Sequence, residues 1–214
     1  MRVGVLASGE GTNLQAILDR AHGRDGVEVV AVASDKPDAR ALERARAAGV
    51  PHRAFPLADH PGRRERDLAI ADWLARRGVE LVVLAGYMQL LDPDFLARFP
   101  QRVINIHPAL LPAFPGLGAV EQAVAHGVKV YGVTVHFVDE GVDTGPIIAQ
   151  RARELPEATD PEEVRSALRP LEHELLPSVV RLIARGAVRP DPHRPRRIVV
   201  EPSAYIVPPD DAAG

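Results

Sequence analysis

The sequence predicts an α/β fold, an open and mostly parallel twisted sheet with helices on both faces, and three features predict it. Short β-branched runs alternate with amphipathic stretches, the βαβ order of a parallel sheet covered on both sides. Glycines stand where the amphipathic stretches stop, at Gly49, Gly78 and Gly127, as helix C-termini favour. The chain's 214 residues are enough to bury roughly 70% of the unfolded surface, so a core without covalent staples is expected.

Val3 to Ala7 reads as the first strand, Asn13 to Arg20 as the first helix and Val27 to Ala33 as the second strand. Leu42 to Ala48 is helical, and a short strand follows around Arg53 to Leu57. Arg63 to Arg77 spaces Leu68, Ala71, Trp73 and Leu74 between charges in a helical pattern. Leu81 to Ala85 is a fully buried strand, and Arg102 to Ile106 is another, halted by Pro108. Leu110 to Gly118 is a loop punctuated by Pro and Gly, and Ala119 to His126 is helical. Lys129 to Val138 and Ile147 to about Arg153 flank the acidic loop Asp139 to Gly145 and are expected to pair antiparallel at one side of the sheet. A helix opens at Pro161 and runs to Gly186, with Pro170 and Pro177 expected to bend or break it. One domain is expected over 1–189, in halves of about 1–100 and 101–189; 190–214 is a Pro-rich tail with one strand, Arg197 to Glu201.

The absence of cysteine excludes disulfides, thiolate-held metals and a cysteine nucleophile. With 26 basic and 29 acidic residues the net charge is −3, so no global field favours nucleic acid or an anionic membrane. Aromatics at 4% are too sparse for base-stacking platforms. Apolar runs such as Leu81 to Ala85 are far too short to span a bilayer, and the opening residues lack a signal peptide's apolar stretch. A cytoplasmic protein is expected, with chemistry resting on His, Asp, Glu, Ser, Thr, Asn or backbone groups.

Ser8-Gly9-Glu10-Gly11-Thr12-Asn13 joins the first strand to the first helix. Glycines there let backbone N–H groups approach an anion, and the helix N-terminus adds partial positive charge. The dinucleotide fingerprint requires a third glycine where Leu14 stands, so a phosphate-bearing mononucleotide fits better. Asp35, after the second strand, keeps a relaxed nicotinamide site open as an alternative. The same segment also suits a plain tight turn with Thr12 or Asn13 as helix cap.

Asn105 and His107 lie two apart on one strand, so their side chains leave the same face near the strand's end, where open α/β sheets place ligands. An amide donor beside an imidazole suits stabilisation of a carbonyl oxygen that becomes an oxyanion. Asp143, flanked by Gly141 and Gly145, can turn its carboxylate toward His107 and favour the imidazolium. A polar pair that satisfies a loop would have the same spacing. His136, inside the apolar run Val133 to Val138, reads as a hydrogen-bonded structural histidine. His173-Glu174 fails as a zinc motif because position 177 is Pro, and Asp139, Glu140 and Asp143 do not match a calcium loop, so no metal is expected.

Together, Gly9 to Asn13, Asn105-Ile106-His107-Pro108-Ala109-Leu110-Leu111-Pro112 and Asp143-Thr144-Gly145-Pro146 resemble the phosphoribosylglycinamide formyltransferases, in collinear order over about Met1 to Arg189. The resemblance implies a formyltransferase-like fold with a Rossmann-type N-terminal half that binds the ribonucleotide and a C-terminal half that adds the folate cleft. It implies formyl transfer from 10-formyltetrahydrofolate, the co-substrate, to the amine of glycinamide ribonucleotide in purine biosynthesis, with no metal. It implies Asn105, His107 and Asp143 as the catalytic set, and Gly11, Thr12, Asn13 and Glu172 on the ribonucleotide. Arg63, Met88, Gln89, Leu90 and Leu91, with Asp139, Glu140, Gly141 and Val142, would border the folate. Gln89 replaces a basic residue common in relatives, and Gly118 stands where many carry His or Asp. Small-molecule substrates, no nucleic acid or membrane partner, and a monomer or homodimer are expected. Transfer to methionyl-tRNA would normally bring a further C-terminal domain and a more basic surface; formylfolate hydrolysis would bring an N-terminal regulatory domain. A nucleotide-binding sensor without chemistry is the alternative from a different class.

Overall fold

The computed structural model describes residues 1–201, so the expected tail beyond Glu201 lies outside the described residues. In chain order the elements are β1 Arg2–Leu6, α1 Thr12–Arg20, β2 Glu28–Ser34, α2 Arg40–Ala47, β3 His52–Ala54, a 3-10 turn Leu57–Asp59, α3 Arg63–Ala75, β4 Leu81–Leu84, α4 Pro93–Arg98, β5 Val103–His107, α5 Ala119–Ala125, β6 Val130–Phe137, β7 Ile147–Glu154, α6 Pro161–Ala184, β8 Val188–Asp191 and β9 Arg194–Val200. Seven strands make one sheet in the order β3-β2-β1-β4-β5-β6-β7. The pairings from β3 through β5 are parallel, and β6 and β7 join antiparallel, as the sequence predicts.

Alternation along the strands divides the core in two. Val3 and Val5, Leu81 and Val83, Ile104 and Ile106 face one buried cluster with residues of α1, α2, α5 and α6. Leu6, Val82, Leu84 and Val103 face a second, built with α3 and α4 around Phe55, Trp73 and Phe95. Period two with both parities buried is what a sheet covered on both faces requires. Because β1 sits between β2 and β4, the chain reverses its direction of travel across the sheet there. The crevice at such a switch point, outside the carboxyl ends of the strands, is where this architecture takes ligands.

Three elements differ from expectation. α4 is a six-residue helix that the periodicity does not show; Asp92 caps it by accepting from the Asp94 amide, with Pro93 in its first turn. α6 stays helical from Pro161 to Ala184 despite Pro170 and Pro177. Each interior proline costs about 3 kcal/mol, yet burying Val164, Leu168, Leu175, Leu176, Val179, Val180 and Leu182 contributes roughly 10–20 kcal/mol. Packing therefore outweighs both breaks. Finally, β8 and β9 form an antiparallel hairpin where a single strand is expected. Among the described residues no helix is long and apolar enough to cross a membrane, and no group of three or more His, Asp or Glu is placed to hold a metal ion.

Candidate active site

A cavity of about 900 Å³ opens along the carboxyl ends of β1, β4 and β5 and is lined by Thr12, Arg63, Met88 to Leu91, Asn105, His107, Asp139 to Asp143 and Glu172. Of the residues nominated from sequence, only Gly11 and Asn13 are absent from its lining. His136, Arg165 and Arg169, which were not nominated, line it too. Gly118 holds the N-cap of α5 at φ 69° and contributes wall without a side chain.

At the centre stands Asp143. It adopts φ 53°, a left-handed conformation uncommon outside glycine, and the loop around it is tightly built. A Cβ on Gly145 would lie 1.7 Å from the Phe137 carbonyl oxygen, and one on Gly141 would lie 2.0 Å from Thr144 Oγ1. Thr144 Oγ1 donates to Asp139 Oδ1 at 2.6 Å and closes the loop on itself. So aimed, Asp143 Oδ2 accepts from the Gly116 amide at 2.8 Å and lies 3.2 Å from His107 Nδ1. Asp143 Oδ1 accepts from Asn105 Nδ2 at 3.3 Å and lies 3.5 Å from His136 Nε2.

The register of β5 on β6 sets Asn105 opposite His136 and His107 opposite Thr134. Cross-strand partners share a face, which brings His136 to the site: its Nε2 is 3.3 Å from Asn105 Nδ2, and its Nδ1 donates to the Phe137 carbonyl at 2.8 Å. The structural hydrogen bond expected of His136 is present, but the residue also belongs to the polar centre. Thr134 supports the other end. It donates to the Ala109 carbonyl at 2.6 Å and accepts from the Leu111 amide and Gln150 Nε2, which fixes the chain just after His107.

His107 is 5% exposed. Its Nε2 donates to the Phe114 carbonyl at 2.8 Å, while Nδ1 faces the Asp143 carboxylate. Both partners only accept, so this geometry suits a proton on each nitrogen, the imidazolium. Burial pushes the Asp143 carboxyl up. The His136 hydrogen bond, the Gly116 amide and the two imidazoles outweigh burial and hold the carboxyl at about 2. Asp143 is therefore an anion across the physiological range.

At the start of the first helix, the N-cap of α1 is Gly11, and no side chain caps that helix. Neither Thr12 nor Asn13 takes the capping role that a plain turn would give it. Asn13 instead donates to Glu172 Oε2 at 3.2 Å, across 159 positions. The first-turn N–H groups thus keep no side-chain partner. A Cβ on Gly9 would meet nothing within 4 Å, whereas one on Gly11 would lie 2.7 Å from Ala41 Cα, at φ 70°. Gly11 is glycine because α2 packs against it and its backbone is left-handed; Gly9 is the open approach. Burial pushes the Glu172 carboxyl up, against the Asn13 amide and the Arg169 guanidinium.

Asp35, on which the nicotinamide alternative rests, is engaged within the protein. Asp35 Oδ2 accepts from Gln89 Nε2 at 3.0 Å, and Leu14, at the third-glycine position, is fully buried in the core. Met88 and Leu90 are 59% and 58% exposed, so they are wall rather than core, while Leu91 packs partly into the second cluster. Sequence reasoning passes over Arg66 and Asp67, charged residues of α3 that are 1% and 0% exposed and bond Nε to Oδ1 at 2.9 Å.

The formyl transferase family model matches residues 1–180. The chain is 44% identical to the phosphoribosylglycinamide formyltransferase of Bacillus subtilis over 83% of its own length and 91% of that protein. It is 46% identical to the Mycobacterium tuberculosis protein of the same name, over 87% and 86%. The crystal structure of glycinamide ribonucleotide transformylase 1 from Symbiobacterium toebii superposes with a TM-score of 0.88 at 49% identity, covering 94% and 93% of the two chains. The chain belongs to the formyl transferase family.

Proposed function

We propose that this protein transfers the formyl group of 10-formyltetrahydrofolate to the amine of glycinamide ribonucleotide, a step of purine biosynthesis. The observation that carries the reading is the Asp143 centre: one ionised carboxylate binding Asn105 and facing His107, in a cavity that also takes in Thr12 of the uncapped helix terminus and the exposed apolar side chains of Met88 and Leu90. Relatives at 44% and 46% identity carry the corresponding name. In this reading Gly11, Thr12, Asn13 and Glu172 take the ribonucleotide. Arg63, Met88 to Leu91 and Asp139 to Val142 take the folate. Residues 1–100 carry the phosphate loop and 101–189 the catalytic centre, each half lending the other a wall.

The amine attacks the formyl carbon, and the carbonyl oxygen gains charge as the tetrahedral intermediate forms. Asn105 and the His107 imidazolium stabilise that oxyanion, while Asp143 holds His107 and assists proton transfer to the departing folate nitrogen through water. The Asn105 bond to Asp143, 3.3 Å, is near the long limit for hydrogen bonds, so an oxyanion displaces it at small cost. Neither hydride nor electron moves in this transfer.

Steady-state assay of formylfolate consumption with and without glycinamide ribonucleotide tests the reading. Consumption is expected to depend on that acceptor. Equal turnover in its absence would favour the hydrolase, and transfer to another acceptor would replace the substrate.

A further inference from the structure

Resting on the folate side of that reading, we propose that Arg66, Asp67 and Asp35 are positioning residues for the formyl donor, acting through the segment Met88 to Leu91 without touching the ligand. This segment follows β4 without regular secondary structure and presents two bulky apolar side chains, Met88 and Leu90, to solvent. A wall of that kind has no ladder of its own and keeps its shape only through its anchors.

Three anchors are present. The Met88 amide donates to Ser8 Oγ at 2.9 Å. The Asp92 amide donates to Asp67 Oδ2 at 2.9 Å. Between them the Gln89 side chain is held at both ends: Nε2 donates to Asp35 Oδ2 at 3.0 Å, and Oε1 accepts from Arg66 Nη1 at 3.3 Å. The amide of Gln89 is thereby fixed in one orientation, its donor end toward a carboxylate and its acceptor end toward a guanidinium. Asp35 is outside the cavity lining, so its effect on a ligand there runs through Gln89.

The pair behind this clamp is costly to bury. Arg66 and Asp67 are 1% and 0% exposed, with Nη2 and Oδ1 2.8 Å apart. A buried ion pair is often no more stabilising than apolar residues of similar volume. The return for burying this one is geometric: the same two side chains reach Gln89 and Asp92, at either end of Leu90 and Leu91.

The test uses the full chain with Asp35→Ala and Arg66→Lys. Donor and acceptor KM and kcat are measured, tetrahydrofolate is titrated calorimetrically, and hydrogen exchange of residues 88–92 is followed without ligand. Each variant loses or distorts one hydrogen bond to a charged group, so donor KM and the tetrahydrofolate Kd should rise about 5–20-fold. The kcat and ribonucleotide KM should stay within twofold, and exchange over 88–92 should accelerate. Should Arg66→Lys fail to fold, Asp35→Ala at its half-buried site decides alone. Unchanged donor KM in folded Asp35→Ala overturns the proposal. So does weaker folate binding with unchanged exchange, which would make Asp35 a direct contact, or a joint rise in both KM values, which would signal general loosening. Wild type that binds no tetrahydrofolate would instead overturn the functional reading itself.

Discussion

Asp143→Asn keeps the shape of the central side chain and removes its charge. In wild type the carboxyl is drawn from its ordinary 3.8 to about 2. That shift corresponds to roughly 2 kcal/mol of net favourable interaction, reduced to about 1 kcal/mol once solvent screening of a partly exposed group is allowed for. Because the folded value is depressed, this stability is present above the unfolded value near 4 and is lost as pH falls through about 2. At pH 7 the variant should therefore lose about 1 kcal/mol, or roughly 2–4 °C in Tm for a chain of this size. The deficit should shrink between pH 4 and pH 2. Catalysis should suffer more. The variant retains an oxygen for the Gly116 amide, but the His107 imidazolium loses its counter-charge, and an NH2 group now competes with Asn105 and His107 as a donor. Removing one preorganised electrostatic element typically costs 10²–10³ in kcat, and that is the expected loss, with both KM values within a few-fold. The assays are steady-state kinetics at pH 7 and thermal melts across pH. A kcat within threefold of wild type in a folded variant would refute the central role of Asp143. A Tm drop beyond 10 °C would make it a scaffold residue.

Asn105→Ala should lower kcat by about 10²–10³ with little change in ligand titrations, since a charged oxygen gains far more from its amide than a neutral formyl group does; unchanged kcat would demote it to structure. Gly11→Ala should weaken ribonucleotide binding and also lower Tm, because its Cβ would sit 2.7 Å from Ala41 Cα at positive φ; a variant with wild-type Tm would contradict the packing argument. Thr134→Val strips a buried hydroxyl of three partners and should cost about 2–4 kcal/mol by chemical denaturation, with kcat falling as the chain after His107 loosens. A loss under about 0.5 kcal/mol would show that the three bonds find substitutes.

The strands and major helices are legible because their signal is local. Burial of both faces writes continuous β-branched runs, and the glycines after α2, α3 and α5 mark where each helix stops. α4 is legible only from Asp92-Pro93, a cap followed by a first-turn proline, since six residues give no periodicity. The proposed catalytic trio is visible as residue types at a strand end and in a Gly-flanked loop, but His136 is not. Its position depends on which residue of β6 faces Asn105, and that register is a property of the sheet. The Asn13–Glu172 bond and the burial of Arg66 and Asp67 are likewise tertiary. Adjacent charges on an amphipathic helix read as a solvated face until a loop from elsewhere in the chain closes over them.

The resting centre has its donors already occupied, and the distances grade how tightly. His107 gives Nε2 to Phe114 at 2.8 Å, and Gly116 gives its amide to Asp143 at 2.8 Å, whereas Asn105 reaches Asp143 only at 3.3 Å. A neutral carbonyl gains little by competing with the short bonds but competes well with the long one, so the ground-state formyl group is expected to engage Asn105 first. Once its oxygen carries charge it becomes a better acceptor than the Phe114 carbonyl, and only then does His107 Nε2 have reason to exchange partners. Donors held in place by internal acceptors need little reorganisation when charge appears, and their resting bonds keep them from binding a neutral group too well. Asp143 serves both ends of that exchange: its carboxylate faces His107 Nδ1 while Nε2 is bound to Phe114, and its own weak hold on Asn105 is the bond most readily given up.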